Sequence, residues 1–298
     1  MSHENRTPAG EKAGVPKRIF APASADAKTA RETVATPQTE DPSYRLAFQD
    51  DEFLLREDLR PVRFQLELLK TQLTLDEADI GSTFVMYGSA RIPEPDRVPI
   101  MMAAAKTPEQ QAVAEKLASN AKYYDEARQL ARLASQVGRD AEGKKQFVVC
   151  SGGGPSIMEA ANRGARDVGA DTIGLNIVLP HEQAPNPYVT PHLSLRFHYF
   201  ALRKMHFLLH ARAVAVFPGG FGTFDEFFEL LTLVQTGKTR PLPILLFGRE
   251  FWETVVNWQA LADYGVISAK DLDLFRYVDT AEEAWDVVRE WYGMDASA

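Results

Sequence analysis

Short apolar runs alternate with longer segments of helical periodicity over most of this chain. The runs are short enough for strands and rich in β-branched and aromatic residues, whereas the segments between them are long enough for helices. The predicted strands are residues 83–87, 146–150, 172–177, 213–217, 244–247 and 274–278, and the predicted helices are residues 109–137, 199–211, 223–235, 252–262 and 281–292. Because strands that alternate with helices form parallel sheets covered on both faces, the pattern predicts an α/β fold with a doubly wound parallel sheet.

The pattern is different near the N-terminus. Residues 1–43 are rich in Ala, Thr, Pro, Lys and Glu, have little apolar periodicity, and are predicted to be disordered. Residues 44–80 carry apolar residues at roughly helical spacing, interrupted by Pro61, and are predicted to form a helical extension that packs on the main domain or on a partner subunit. Residues 81–298 are the predicted main domain.

Charge and cysteine content narrow the functional class. The formal net charge of -8 argues against a general nucleic-acid or membrane-surface binder, because such proteins usually carry a basic field. The single cysteine, Cys150, excludes an intrachain disulfide and favours a cytoplasmic protein. No apolar run reaches membrane-spanning length, and the N-terminus lacks the apolar stretch of a signal peptide. We therefore expect a cytoplasmic protein with no nucleic-acid partner and no membrane partner.

Two glycine-rich segments of one design, CSGGGPSIME and FPGGFGTFDE, each follow a predicted strand and open a helix. Glycines let backbone N–H groups approach an anion closely, and a helix N-terminus adds partial positive charge. Open α/β sheets bind their ligands at the carboxyl ends of the strands, where both segments lie. The two loops therefore predict a phosphate cradle, although tight turns alone would also need the glycines.

The glutamates that end the two loops have two interpretations. Thr223 and Glu226 have the spacing of a capping box, in which a glutamate in the first helical turn bonds back to the N-cap amide. Glu226 is equally well placed to be a catalytic carboxylate beside the cradle, and the residues alone leave this choice open. For Glu159, which follows Ser156 at the same spacing, capping is the favoured interpretation.

Other candidate residues carry weaker signals. Ser89 and Arg91 follow the first strand and either touch the ligand or are a turn serine and an exposed arginine. His206 and His210 have a spacing that can bind zinc, but no further ligand has motif spacing, so we expect no metal site. Cys150 ends a predicted buried strand and is interpreted as a small buried hydrophobe rather than a nucleophile.

Four motifs resemble one known family. PGGFGTFDE matches the Pro-Gly-Gly-x-Gly-Thr-x-x-Glu signature of the Lonely Guy (LOG) family, the cytokinin riboside 5′-monophosphate phosphoribohydrolases, whose members have often been labelled lysine decarboxylases. SGGGPSIMEAANRGA resembles the second glycine loop of that family, LRKMHF its Arg-Lys motif, and YGSAR its first-strand turn. The resemblance is closest to the long bacterial type and to nucleotide 5′-monophosphate nucleosidases. It implies a Rossmann-like fold, a homodimer or higher homo-oligomer, and hydrolysis of a nucleoside 5′-monophosphate to free base and ribose 5-phosphate.

The resemblance also assigns roles to positions in this chain. It implies that Arg203 and Glu226 are catalytic and that the substrate is AMP or an N6-modified AMP, with no cofactor. The implied phosphate-binding positions are Gly219, Gly220, Gly222, Thr223 and Lys204, and for Lys204 a solvated surface lysine is an equal alternative. From their place in the turn after the first strand and in the other glycine loop, Ser89, Gly153 and Gly154 are further substrate-binding candidates. The alternative from a different class is a nucleotide-binding sensor or carrier of the same fold that does not turn its ligand over.

Overall fold

The computed structural model of the chain describes residues 20–180 and 184–294. The chain divides between Arg63 and Phe64 into two units. The smaller unit contains the short helices α1 (Ala23–Thr29), α2 (Pro37–Glu40) and α3 (Asp51–Leu54), none of which has a buried residue, and the start of α4 (Arg60–Glu77). Part of the segment predicted to be disordered lies outside the described residues. The predicted division at residues 43 and 80 therefore stays a prediction.

Seven strands form a single sheet in the larger unit. They are β1 (Thr83–Tyr87), β2 (Val148–Ser151), β3 (Thr172–Ile177), β4 (Ser194–Phe197), β5 (Ala211–Val216), β6 (Ile244–Phe247) and β7 (Arg276–Val278). Their order is β4-β3-β2-β1-β5-β6-β7, and every neighbouring pair is parallel. The order reverses at β1, which lies between β2 and β5, so the crevice beyond the carboxyl end of β1 is the place where such a sheet binds a ligand.

Helices cover both faces of this sheet. The helices that follow α4 are α5 (Val98–Ala104), α6 (Pro108–Ser119), α7 (Lys122–Ala134), α8 (Ile157–Asp167), α9 (Phe200–Leu209), α10 (Phe221–Gln235), α11 (Arg249–Val255), α12 (Trp258–Asp263) and α13 (Ala281–Tyr292). One apolar cluster joins the sheet to α7, α8 and α13, and a second joins its other face to α9 and α10. The predicted α/β fold, a Rossmann-like doubly wound parallel sheet, is confirmed. Among the described residues, no helix is both long enough and apolar enough to cross a bilayer.

Several predicted elements differ in detail. The sheet has a strand that the sequence did not predict, β4, whose four residues alternate in burial because it lies at the edge of the sheet. The helix predicted over residues 109–137 is two helices, α6 and α7. The helix predicted over residues 252–262 is also two, because the Asn257 side chain accepts a bond from the Ala260 N–H at 3.0 Å and starts α12. Pro61 does not interrupt a helix, since it is the second residue of α4, where a proline is tolerated.

Candidate active site

A cavity of about 790 Å³ opens at the carboxyl ends of β1 and β2. Its wall is formed by the end of β1 and the turn after it, by Gly152 after β2, by Arg203 of α9, and by the first turns of α10. Three of the four quoted motifs therefore contribute a turn or a helix end to one cavity, and the fourth contributes Arg203. The reversal of strand order at β1 brings them together, as expected for this sheet topology.

Helix α10 begins one turn earlier in the motif than a capping box requires. Its N-cap is Gly220 and its first residue is Phe221, so Thr223 lies within the first turn and Glu226 within the second. No side chain caps the helix. The capping interpretation of Glu226 is therefore wrong, because its carboxylate stands too far along the helix to reach the N-cap amide.

Glu159 does not cap its helix either. Ser156, the N-cap of α8, makes no side-chain cap bond and instead donates its hydroxyl to the carbonyl of Ile92. The Glu159 carboxylate accepts a bond from the Tyr124 hydroxyl at 3.3 Å. The capping prediction for Glu159 is thus wrong, and Ser156 connects the second glycine loop to the segment that follows β1.

Arg203 and Glu226 form an ion pair at the cavity wall. A guanidinium nitrogen of Arg203 lies 3.5 Å from a carboxylate oxygen of Glu226, and each side chain is only 12% exposed. Arg203 also donates from Nε to the carbonyl of Leu175 at 2.7 Å and lies 5.1 Å from the ring centre of Phe207. These contacts fix the plane of the guanidinium, so it presents its remaining N–H groups in a defined direction.

Burial sets the protonation of Glu226. Removal of the carboxyl from water raises the pKa of Glu226 to about 7, and the neighbouring Arg203 charge only partly opposes this effect. A carboxyl with this pKa exchanges a proton readily near neutral pH, the range in which a general base is most effective. A perturbed pKa caused by burial beside a charged partner in a cleft is typical of functional residues.

The glycines of the α10 loop differ in what they face. Gly220 and Gly222 line the cavity, and a side chain at either would meet open space. Gly219 lies outside the wall, and a Cβ there would stand 2.2 Å from the Thr223 hydroxyl oxygen. The structure thus brings Gly220, Gly222 and Thr223 to the cavity, while Gly219 allows the loop to pack closely on Thr223.

The other glycine loop contributes a residue that the sequence analysis did not select. Gly153 and Gly154 lie outside the cavity wall, whereas Gly152 lines it. A Cβ on Gly152 would stand 2.6 Å from a guanidinium nitrogen of Arg203, so this glycine makes room for the arginine. Gly153 has a φ of 72° and packs against the Asn176 amide, which accounts for it as a turn residue.

Ser89 and Arg91 reach the cavity from the turn after β1. The Ser89 N–H donates to the carbonyl of Pro218 at 3.1 Å, and its hydroxyl accepts from the Arg91 N–H at 3.0 Å. Ser89 is therefore a turn serine and a wall residue at the same time. Its backbone ties the β1 turn to the loop that enters α10.

Lys204 stands apart from the predicted cradle. It lies outside the cavity wall, and its ammonium nitrogen is 2.9 Å from an Asp225 oxygen and 2.9 Å from a Glu229 oxygen. Both carboxylates are on α10, on either side of Glu226 in the sequence. The structure therefore links Lys204 to the helix that carries Glu226 and not to the glycine loop.

His206 and Cys150 are buried behind the site. His206 is 2% exposed, with its ring 5.7 Å from that of Phe197, and burial lowers its pKa to about 4. Cys150 is 1% exposed, and burial raises the pKa of its thiol well above the usual range. Neither lines the cavity, and over residues 20–180 and 184–294 no three His, Cys, Asp or Glu side chains are grouped to hold a metal ion.

The apolar part of the wall was not predicted. It consists of Met86, Tyr87, Met158, Phe221, Phe224 and Val255. Phe221 and Phe224 occupy two of the three variable positions of the glycine signature, so the motif could have identified them as candidate wall residues. Val255 ends α11 and comes to the site only through the tertiary fold, and no local pattern could have identified it.

The raised pKa of Glu226 predicts a pH-dependent stability. A carboxyl with a pKa near 4.5 in the unfolded chain and about 7 in the fold stabilises the fold fully below pH 4.5, and this contribution is lost as the pH rises through 7. We expect the free energy of unfolding of Glu226→Gln, relative to the wild type, to increase by roughly 2–3 kcal/mol between pH 4.5 and 8. Urea unfolding at several pH values measures the difference. A constant difference would contradict the raised pKa.

Comparisons with known proteins found one matching family model. Residues 158–288 match the model of the family described as "Possible lysine decarboxylase", which covers somewhat less than half of the chain. No curated protein matches the chain. The matched segment contains Arg203, Glu226 and the whole glycine signature.

Solved structures of similar fold were also found. A molybdenum cofactor binding protein from the phototrophic bacterium Rippkaea orientalis shares 17% identity over 71% of this chain and 98% of its own, with a TM-score of 0.42. The molybdenum cofactor carrier protein of Chlamydomonas reinhardtii shares 14% sequence identity over 71% of this chain and 99% of its own, with a TM-score of 0.40. A structural-genomics target shares 20% sequence identity over 70% of this chain and 99% of its own, with a TM-score of 0.42. At these values the similarity carries no argument about the ligand of this chain.

The family match and the motifs agree. The matched segment covers both residues of the buried ion pair, and the glycine signature within it resembles that of the LOG family. The match supports the family resemblance inferred from the motifs: residues 158–288 are similar to the family described as "Possible lysine decarboxylase".

Proposed function

We propose that this protein is a phosphoribohydrolase, which hydrolyses the N-glycosidic bond of a nucleoside 5′-monophosphate to free base and ribose 5-phosphate. The observation that carries the proposal is the Arg203–Glu226 pair, 3.5 Å apart and nearly buried, in the wall of the cavity that the α10 N-terminus also lines. A helix N-terminus with exposed glycine N–H groups suits a phosphate, and the carboxylate suits a sugar that gains positive charge.

The reaction needs three contributions from these residues. As the bond between C1′ and the base nitrogen breaks, the ribose takes on oxocarbenium character, as in the hydrolysis of O-glycosides. The Glu226 carboxylate stabilises that charge and accepts the proton of the water that attacks C1′, while the base nitrogen keeps the bonding electron pair and takes up a proton from solvent as the base leaves. Arg203 donates hydrogen bonds to the nucleotide and does not act as the acid, because a guanidinium is a poor proton donor.

Binding of the phosphate helps the chemistry at a distance. Gly220, Gly222 and Thr223 hold the phosphate at the start of α10, and Glu226 follows one turn later on the same helix. A fixed separation between the phosphate site and the carboxylate positions C1′ against Glu226, so that binding energy far from the broken bond is used for orientation. This arrangement supports a preference for nucleotides over nucleosides.

We also propose that the protein acts as a homodimer or higher homo-oligomer, as the family resemblance implies. Large apolar side chains remain exposed on α4 and α9, among them Leu66, Leu69, Leu73 and Leu209. The three leucines of α4 are three and four residues apart and share one helix face. An apolar face of this kind supports burial against a second copy.

Product analysis tests the proposed function. The purified protein is incubated with AMP, GMP, IMP, CMP, UMP and isopentenyl-AMP, and free base and ribose 5-phosphate are measured by chromatography. We expect release of adenine or its N6-modified form from the adenine nucleotides, with equimolar ribose 5-phosphate. Tight binding of AMP by calorimetry with no base released from any nucleotide would favour the carrier alternative and would contradict the enzyme.

A further inference from the structure

Two neighbouring residues of α9 make different contacts with α10. Arg203 points to the cavity and pairs with Glu226, whereas Lys204 pairs with both Asp225 and Glu229 at 2.9 Å. Consecutive helical residues point about 100° apart, so the two cations contact different sides of the same stretch of α10. The Lys204 side chain is only 17% exposed although it carries a charge.

We propose that Lys204 is a positioning residue and not a phosphate ligand: it fastens the first turns of α10 to α9 and so holds Glu226 against Arg203. The proposal depends on the proposed function only because that function gives Glu226 its catalytic role. Lys204 has three donors, and two of them are already occupied by the carboxylates of Asp225 and Glu229. A phosphate would have to displace these partners before it could bind there.

The charges around Glu226 give the positioning an electrostatic consequence. The charged and titratable groups that act on Glu226 or are acted on by it are Arg203 and Lys204 of α9, Asp225 and Glu229 of α10, Tyr87 of β1 and Cys150 of β2. Burial raises the pKa of Glu226 most, and the carboxylates of Asp225 and Glu229 raise it further, while Arg203 and Lys204 lower it. Tyr87 and Cys150 are themselves kept neutral by burial.

Lys204 thus lowers the pKa of Glu226 in two ways. It lowers the pKa of Glu226 directly, and it neutralises the two carboxylates that would otherwise raise that pKa. Without Lys204, Glu226 would be protonated over more of the neutral range, and the fraction of protein with an ionised carboxylate would fall. A lysine that only stabilised the fold through a surface ion pair would leave this titration unchanged.

The experiment compares Lys204→Met with Lys204→Arg, and with Lys116→Met as the control for loss of an exposed lysine. The pH profile of kcat/KM for AMP is measured for each variant. We expect the acidic midpoint of Lys204→Met to lie about one pH unit above that of the wild type, with the midpoints of Lys204→Arg and Lys116→Met unchanged. The KM for AMP well above the midpoint should change less than twofold in Lys204→Met.

Two results would overturn the proposal. A several-fold rise in KM for AMP with no movement of the midpoint would make Lys204 a phosphate ligand. An unchanged midpoint with an unchanged KM would reduce Lys204 to a surface ion pair. Should Lys204→Met fail to fold, Lys204→Gln, which removes the charge but keeps hydrogen-bond donors, gives the same comparison.

A second measurement separates this proposal from the proposed function. The carboxyl carbons of glutamate are labelled with carbon-13, Glu226 is assigned by comparison with Glu226→Gln, and its titration is followed by NMR without any substrate. The midpoint should be higher in Lys204→Met than in the wild type. If the wild type releases no base from any nucleotide, the proposed function fails while this titration still decides the role of Lys204.

Discussion

Glu226→Gln should reduce base release from AMP by about 10²–10⁴-fold, because an amide can neither accept the proton of the attacking water nor carry the negative charge that faces C1′. The amide has the size of the carboxyl and can still accept a bond from Arg203, so binding of AMP should change little. Steady-state kinetics with AMP and calorimetric titration of AMP measure the two effects separately. A loss in kcat with an unchanged dissociation constant is the expected pattern.

Glu159→Gln is the matched control for this variant. Glu159 occupies the corresponding position after the other glycine loop, is partly buried as Glu226 is, and bonds to the Tyr124 hydroxyl outside the cavity wall. We expect it to keep wild-type activity. Full activity of Glu226→Gln would remove the carboxylate from the mechanism, and an equal loss in both variants would point to a general effect of the substitution on the fold.

Arg203→Lys should reduce kcat/KM for AMP by about a hundredfold or more, although the positive charge is kept. The guanidinium bonds to the Leu175 carbonyl and pairs with Glu226 at once, and it still has N–H groups for the nucleotide. A lysine ammonium is a single point and cannot reproduce this planar fork. Loss of one oriented donor in an active site costs about 10²–10³ in rate, and steady-state kinetics with AMP detects a change of this size.

Arg212→Lys is the control for the same exchange at a position outside the cavity wall. Arg212 is an exposed residue near the start of β5, at the opposite end of the strand from the cavity. Its variant should retain full activity. Should Arg203→Lys also retain full activity, Arg203 would be a structural residue that supports the Leu175 carbonyl, and the proposed contact with the nucleotide would have to be abandoned.

The cavity shows how far motif spacing could locate this site. The glycine signature identified Gly220, Gly222, Thr223 and Glu226, all of which line the cavity. Spacing alone could not decide whether Glu226 was a helix cap. That question depends on which residue starts α10, and the helix boundary follows from the backbone of the loop, whose glycines permit more than one starting point.

The Arg-Lys motif did not predict that Lys204 contacts the carboxylates of Asp225 and Glu229. The adjacent Arg-Lys pair suggested that both cations reach the substrate, but neighbours on a helix point in different directions. Which of them faces the cavity depends on how α9 packs on the sheet and on α10. The second glycine loop is similar, because Gly152 lines the cavity whereas Gly153 and Gly154 do not.

The sequence by itself determined the class of fold and the chemistry available at one edge of the sheet. Apolar strands separated by helices left few architectures other than a parallel sheet covered on both faces, and the glycine signature placed a glutamate beside a helix N-terminus. Only the tertiary structure decided the 3.5 Å approach of Arg203 to Glu226 and the burial that raises the pKa of Glu226 to about 7. Both depend on how α9 packs against α10. The distance and the desolvation between two helices separated by a strand follow from tertiary packing, which no local sequence pattern encodes.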